Sequence, residues 1–284
     1  MEPLDIVMTG GHSGIGLELT TKLASEGHQI TLVVRSEDRL AEVRSRDIKT
    51  YWIAADLSNQ DEVRVAGAEL SKRLPKIDIL VNSAGVLLGD LQHSSSGNEM
   101  HYEVNTLAPL VLAAALRDRL ASSPRARVLN VVSDNMDRPT EIDFETLHNP
   151  TKITKLTGSY QQSKLALTHA TAFLAPHPGW SSVIHVSATP GANKTAMTAG
   201  PGMPALLKPL RNRFFAEPTK GAGLLSRALY RKDLQSGEFL RNDKVRPLSF
   251  ELDPDGFDQV IKGLDAESRK LVAEAANSAD TKGV

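Results

Sequence analysis

Near the N-terminus a strand-like run, Asp5–Thr9, passes directly into Gly10-Gly11-His12-Ser13-Gly14-Ile15-Gly16 and then into a segment of helical period that ends before Gly27. A strand that turns through glycines into a helix is the first half of a βαβ unit, and the same alternation continues. Strand-like runs recur at Ile30–Val34, Thr50–Ala54, Ile77–Val81, Arg127–Val132 and Val183–Val186. Between them lie helix-period segments around Asp38–Arg44, Gln60–Leu74, Asn98–Leu120 and Ser159–Ala175. Strands alternating with helices imply a parallel sheet, and right-handed crossovers place helices on both of its faces. From Pro190 to Pro218 five prolines make the pattern irregular, which reads as a lobe laid over the site. Helices resume at Thr219–Tyr230 and Phe257–Ala276, with a short strand at Glu238–Leu240 and a frayed tail from Asn277.

The glycine turn has the spacing Gly-x-x-x-Gly-x-Gly. Its glycines allow a tight turn, and the helix that follows directs its first N–H groups toward an anion such as a pyrophosphate. The bland reading is a glycine-rich turn without a ligand. The second strand ends at Val34, where an acid would favour the ribose 2′-hydroxyl of NAD; Arg35 follows, with Ser36 and Arg39 nearby. A guanidinium fork suits a 2′-phosphate, so NADP is preferred over NAD, although Glu37 and Asp38 keep NAD open. Asp56-Leu57 after the third strand could meet an adenine or cap the next helix. Asn82-Ser83-Ala84-Gly85 after the fourth strand is small enough for the chain to pass close to a ribose and nicotinamide.

Tyr160 and Lys164 are four apart at the start of a helix and so share a face. A phenol is a poor base at neutral pH, but an adjacent ammonium and a cationic nicotinamide would favour the phenolate. Such tuning equips a general acid–base. Ser133 ends the fifth strand, where ligands of open parallel sheets gather. Asn105 lies within a helix, and taken alone it reads as a satisfied, half-buried amide. His93, His101 and His148 show no metal-ligand spacing and read as surface or capping residues.

The 284 residues can bury a large core. Hydrophobic residues make up 40% and charged residues 24%, and the formal charge is −1, so nucleic acid is not an expected partner. With no cysteine, disulfides, thiolate nucleophiles and cysteine zinc sites are excluded. No apolar run reaches the length of a membrane span and no signal sequence opens the chain, so a cytoplasmic enzyme is expected.

Together Thr9–Gly16, Asp56, Asn82–Gly85, Asn105, Ser133, Tyr160/Lys164 and Pro190-Gly191 resemble the short-chain dehydrogenase/reductase family, in its order and roughly its spacing. The resemblance implies an α/β fold: a single Rossmann-like, doubly wound domain over 1–284, with a parallel seven-stranded sheet and helices on both faces. It would carry a substrate-covering lobe at about 192–218 and a C-terminal helical extension at about 256–276. It also implies roles. Tyr160 would move the proton on the substrate oxygen, Ser133 would hydrogen-bond that oxygen, and Lys164 would hold the nicotinamide ribose and lower the tyrosine's pKa. Asn105 would help position a water. Gly10, His12, Ser13, Gly14, Ile15 and Gly16 would cradle the pyrophosphate. Arg35, Arg39, Asp56 and Leu57 would meet the adenosine; Asn82, Ala84, Gly85, Pro190, Gly191 and Thr195 would border the ribose and nicotinamide. No metal is implied.

The interval Asp134–Ser159 is longer than in most members and, with Gln161–Ala166, resembles the retinol dehydrogenase and protochlorophyllide reductase branch. The departures are Val132 before Ser133, Ser83 for a common Asn, and Thr189 where that branch often has His. Met197, Met203, Leu206, Leu207, Phe214 and Phe215 in the lobe suggest a bulky hydrophobic small-molecule substrate, unless they merely pack the lobe. The expected activity is a carbonyl reductase or alcohol dehydrogenase. A carbon–carbon double-bond reductase and a non-catalytic NADP-binding regulator are the alternatives. Ala166, Leu167, Ala170 and Leu174 could form a homo-oligomer face or pack on the sheet.

Overall fold

A computed structural model defines the fold and describes residues 2–134, 141–248 and 253–278. Residues 135–140 of the long interval and the last residues of the tail lie outside this set. Among the described residues one sheet holds β1 (Asp5–Thr9), β2 (Gln29–Val34), β3 (Tyr51–Ala54), β4 (Ile79–Asn82), β5 (Arg127–Val131), β6 (Ile184–Ala188), β7 (Glu238–Arg241) and β8 (Lys244–Arg246). Their order is β3-β2-β1-β4-β5-β6-β7-β8. Seven of the strands run parallel; β8 pairs antiparallel with β7 and makes an eighth where the sequence suggests seven. The β7–β8 turn places Asn242 and Asp243 at φ 49° and 63°, the paired left-handed geometry of a tight hairpin.

The helices that matter for the site are α1 (Gly14–Ser25), α2 (Gln60–Arg73), a composite α3 spanning 100–115, α4 (Ser159–Leu174), α5 (Pro218–Tyr230) and α6 (Ala266–Asn277). Alternate residues of each strand feed opposite cores. Ile6 and Met8 pack with α1 and α5 on one face, while Val7, between them, joins α2, α3, α4 and α6 on the other. Burial on both faces is why these strands read as continuous apolar runs rather than as alternation. Ala166, Leu167, Ala170 and Leu174 are all buried in the second of these cores.

Two helices differ from the expectation. The run drawn at Asn98–Leu120 starts only at Met100, capped by Glu99, and passes through a π-helical turn at Glu103–Leu107 before Ala108–Ala115. The run drawn at Phe257–Ala276 is broken into Pro254–Val260 and α6. The break is held by α3 and α2. The Gly263 N–H donates to the Tyr102 hydroxyl at 3.0 Å, which itself donates to the Val260 carbonyl at 2.6 Å. Asn98 and Gln60 donate to the Gly263 carbonyl at 2.8 and 3.0 Å. No helix among the described residues is long and apolar enough to cross a membrane.

Candidate active site

The chain order of the strands reverses between β1 and β4, and beyond the carboxyl ends of these strands lies a cavity of about 590 Å³. Open parallel sheets bind ligands at such a crevice. One end is the glycine turn, with Gly10, His12, Ser13, Gly14, Ile15 and Gly16 in the wall. Gly10 has φ +68°, and a Cβ there would stand 2.6 Å from the Ala84 amide nitrogen. A Cβ on Gly16 would stand 2.1 Å from the Gly10 carbonyl oxygen, so the turn closes only without side chains. Ser13 is extended at the head of α1 and makes no side-chain cap. The first-turn N–H groups therefore remain available to an anion. Thr9 Oγ1 accepts from the Ala84 N–H at 3.1 Å, tying β1 to the loop after β4.

At the next station Arg35, Arg39, Asp56 and Leu57 line the cavity. Burial, then the charges of Arg39 and Arg35, hold the His12 imidazole below its usual range. All three side chains line the same cavity, and His12 Nδ1 is buried without a hydrogen-bond partner. Arg35 lies 3.9 Å from Asp56, an exposed and weak pairing. The carboxylate of Asp56 accepts from the Ser58 N–H and hydroxyl at 2.9 and 2.8 Å. The cap of α2 is supplied instead by Asn59, which accepts from Asp61 and Glu62 N–H groups.

At the far end Ala84, Gly85, Pro190, Gly191 and Thr195 meet Ser133, Tyr160 and Lys164 in the same wall. Lys164 is 5% exposed, and its Nζ donates to the Val131 carbonyl at 2.9 Å. Burial lowers its pKa from 10.5 to about 8. Tyr160 moves the other way: burial raises its pKa, a hydrogen bond with Ser133 opposes the rise, and the Asp134 charge adds to it. Lys164 Nζ is engaged by the Val131 carbonyl, and burial dominates the Tyr160 shift.

Asn82 and Asn105 do not line the cavity. Asn82 is buried in the sheet and donates to Asn130 Oδ1 at 2.8 Å. Asn105 stands behind Gly85, where an added Cβ would meet Asn105 Oδ1 at 3.0 Å and Lys164 Nζ at 3.4 Å. Its amide accepts from the Val86 N–H at 2.9 Å and donates to the Val86 carbonyl and Ser163 Oγ at 3.1 Å each. A π-helical turn at this residue fits the tendency of such turns to mark functional places. Of the lobe residues, Met197, Met203 and Phe215 face the cavity, whereas Leu206 and Phe214 are 85% and 67% exposed.

Three residues escaped the sequence reading. Ser163 donates to the Tyr160 carbonyl at 2.8 Å and so couples Asn105 to α4. Asp134, in the cavity wall, accepts from Thr189 Oγ1 at 2.5 Å. His101 is fully buried, not a surface residue, and its ring meets the Tyr160 ring edge-on at 6.2 Å. The i, i+3 spacing to Tyr160 could have revealed the first and the neighbouring Glu99 could have hinted at His101, whereas nothing local marks Asp134. Among the described residues no group of three or more His, Asp or Glu is arranged to hold a metal.

The short chain dehydrogenase family profile matches residues 5–143. Human retinol dehydrogenase 13 is 29% identical over 199 residues, covering 68% of this chain. The match spans only 60% of that relative's length. Mouse retinol dehydrogenase 12 is 28% identical, covering 84% of this chain and 78% of that protein. Among solved structures, an alcohol dehydrogenase from the archaeon Thermococcus sibiricus, complexed with 5-hydroxy-NADP, superposes with a TM-score of 0.64. It is 23% identical and covers 87% of this chain and 99% of that one.

Proposed function

Because the chain belongs to the short-chain dehydrogenase/reductase family, whose members use a nicotinamide cofactor, we propose that it is an NADP(H)-dependent oxidoreductase acting on a carbonyl or alcohol of a bulky apolar small molecule. The observation that carries this reading is the meeting of Ser133, Tyr160 and Lys164 in one cavity whose other end is the glycine turn. The residues fit a dinucleotide. The glycine turn and the open head of α1 would take the pyrophosphate, and the unpartnered His12 Nδ1 with Arg35 and Arg39 would take a 2′-phosphate. The absence of a carboxylate at Val34, where β2 ends, supports NADP over NAD. The NADP analogue in the Thermococcus enzyme agrees with that choice.

When bound, the nicotinamide supplies or accepts the hydride. In the reductive direction the Tyr160 hydroxyl gives its proton to the substrate oxygen while the Ser133 hydroxyl hydrogen-bonds that oxygen. In the oxidative direction Tyr160 Oη takes the proton back. Lys164 Nζ would hold the ribose hydroxyls, and its exchange of the Val131 carbonyl for them would place a cation beside the phenol. Asn105 acts as a positioning residue, holding Val86 and, through Ser163, the first turn of α4. The apolar remainder of the wall, with Val86, Leu87, Leu88, Met100 and Met203, suits an apolar substrate body.

The test is NADPH-fluorescence turnover against a panel of aldehydes, ketones, enones and apolar alcohols. Tyr160→Phe should lower kcat at least about a thousandfold with NADPH affinity within about threefold, as expected for a proton-transfer group. Product analysis on the enones separates carbonyl from carbon–carbon double-bond reduction. Full activity in Tyr160→Phe would refute the assignment.

A further inference from the structure

Glu99 and His101 form a buried pair beside the proposed catalytic tyrosine, each 0% exposed. The Leu88 N–H donates to His101 Nε2 at 2.9 Å. A backbone N–H can only donate, so Nε2 is the acceptor and Nδ1 carries the ring proton. Nδ1 then donates to Glu99 Oε1 at 2.6 Å. The other oxygen of Glu99 accepts from the Tyr102 N–H at 3.0 Å, which caps α3. The ring is thus fixed in tautomer and orientation from both sides, with its edge against Tyr160 at an interplanar angle of 76°.

The loop that His101 holds is part of the cavity wall. Val86, Leu87 and Leu88 all line it. α3 pins this loop twice, at Val86 through Asn105 and at Leu88 through His101. The irregular segment between Pro190 and Pro218 also rests on this loop. A Cβ on Gly202 would stand 2.5 Å from the Leu87 carbonyl oxygen, and one on Gly89 would stand 2.9 Å from Pro201 Cβ. Met197 and Met203, which flank that seat, also face the cavity. A single imidazole therefore links the ring of Tyr160, the 86–89 loop and the Pro201-Gly202 turn.

We propose that His101, oriented by Glu99, is a positioning residue that sets the substrate-side wall of the cavity by anchoring the 86–89 loop on which the Pro201-Gly202 turn is seated. This rests on the functional reading above for its kinetic consequence, but not for its structural one. His101→Leu leaves the Leu88 N–H and the buried Glu99 Oε1 unpaired, and the wall loosens where substrate binds, away from the pyrophosphate end. His101→Gln keeps the chemistry, since a carboxamide oxygen can accept from Leu88 while its NH2 donates to Glu99.

The experiment compares His101→Leu, His101→Gln and the milder Glu99→Gln in the full chain. For His101→Leu we expect the KM for a carbonyl substrate from the panel to rise about tenfold, the usual scale for leaving a buried hydrogen-bonding group unmade. NADPH affinity, read by fluorescence titration, should stay within about twofold, and His101→Gln should recover most of the KM. Glu99→Gln should raise KM to an intermediate value and serves if His101→Leu does not fold. Independently of turnover, amide hydrogen exchange should accelerate at 86–89 and 199–203 in the impaired variants while β4 and β5 stay protected. Unchanged KM and exchange would overturn the proposal, and so would equal losses in cofactor affinity and sheet protection. If the wild-type chain turns over nothing in the panel, the functional reading fails and the exchange measurement alone decides this one.

Discussion

At neutral pH Lys164 is a cation almost sealed from water, and the cost of that should be measurable without any substrate. Burial lowers its pKa from 10.5 to about 8, a gap worth about 3 kcal/mol between charged and neutral forms. The unfolded chain keeps the proton up to the higher value and the folded chain only up to the lower. Between about 8 and 10.5 unfolding takes up a proton, so stability rises with pH in that window, and below it the folded state bears the whole penalty. Lys164→Met removes the charge and keeps the volume, at the loss of the 2.9 Å bond to the Val131 carbonyl, worth about 1–2 kcal/mol. At pH 7 the variant should therefore be about 1–2 kcal/mol more stable than wild type, yet inactive. At pH 10 the wild type regains about 2–3 kcal/mol relative to the variant and the order should reverse. Urea unfolding of both proteins at the two pH values measures this, because every other titrating group cancels in the difference. A stability difference independent of pH, or a wild type more stable at pH 7, would refute the reasoning.

Arg35→Ala should weaken NADPH by about tenfold or more with NADH little changed, as loss of a phosphate-paired guanidinium implies, and fluorescence titration with both cofactors checks it. Gly10→Ala forces a Cβ onto the Ala84 amide from a left-handed backbone; it should cost about 1–3 kcal/mol in thermal or urea unfolding and abolish cofactor binding. Asp134 holds the Tyr160 pKa up, so Asp134→Asn should move the ascending, acid-side limb of the alcohol-oxidation pH profile to lower pH; a shift upward would contradict the assigned charge effect.

The parallel strands could be read closely because the central ones, β1, β2, β4, β5 and β6, are apolar runs buried on both faces. β8 escaped because Lys244, Val245 and Arg246 are all exposed and carry no such run, although Asn242-Asp243 was a turn signal. The joint between the last two helices escaped because its cause, the Tyr102 hydroxyl, lies about 160 positions away in the chain, as do most contacts that override local period. In the site, the glycine turn was legible because its geometry is local, and Tyr160 with Lys164 because i, i+4 neighbours share a face. The direction in which Tyr160 titrates was not legible. It depends on how much water the folded wall excludes and on Asp134, which arrives from another strand end. His101 was misread for the same reason: Glu99 stands two residues away, but its other partners Leu88 and Tyr160 come from separate elements, and its burial depends on them.

The tie between Tyr102 and the 260–263 corner has a consequence for biogenesis. Tyr102 is the immediate chain neighbour of His101, and its hydroxyl completes its bonding only with Val260 and Gly263. While a ribosome is still translating the middle of the message, β1 to β4 and the glycine turn can already assemble. The turn of α3 bearing His101 and Asn105 lacks its backing until those late residues emerge. A nascent chain halted near residue 250 would thus hold the glycine turn beside an unfinished cavity wall.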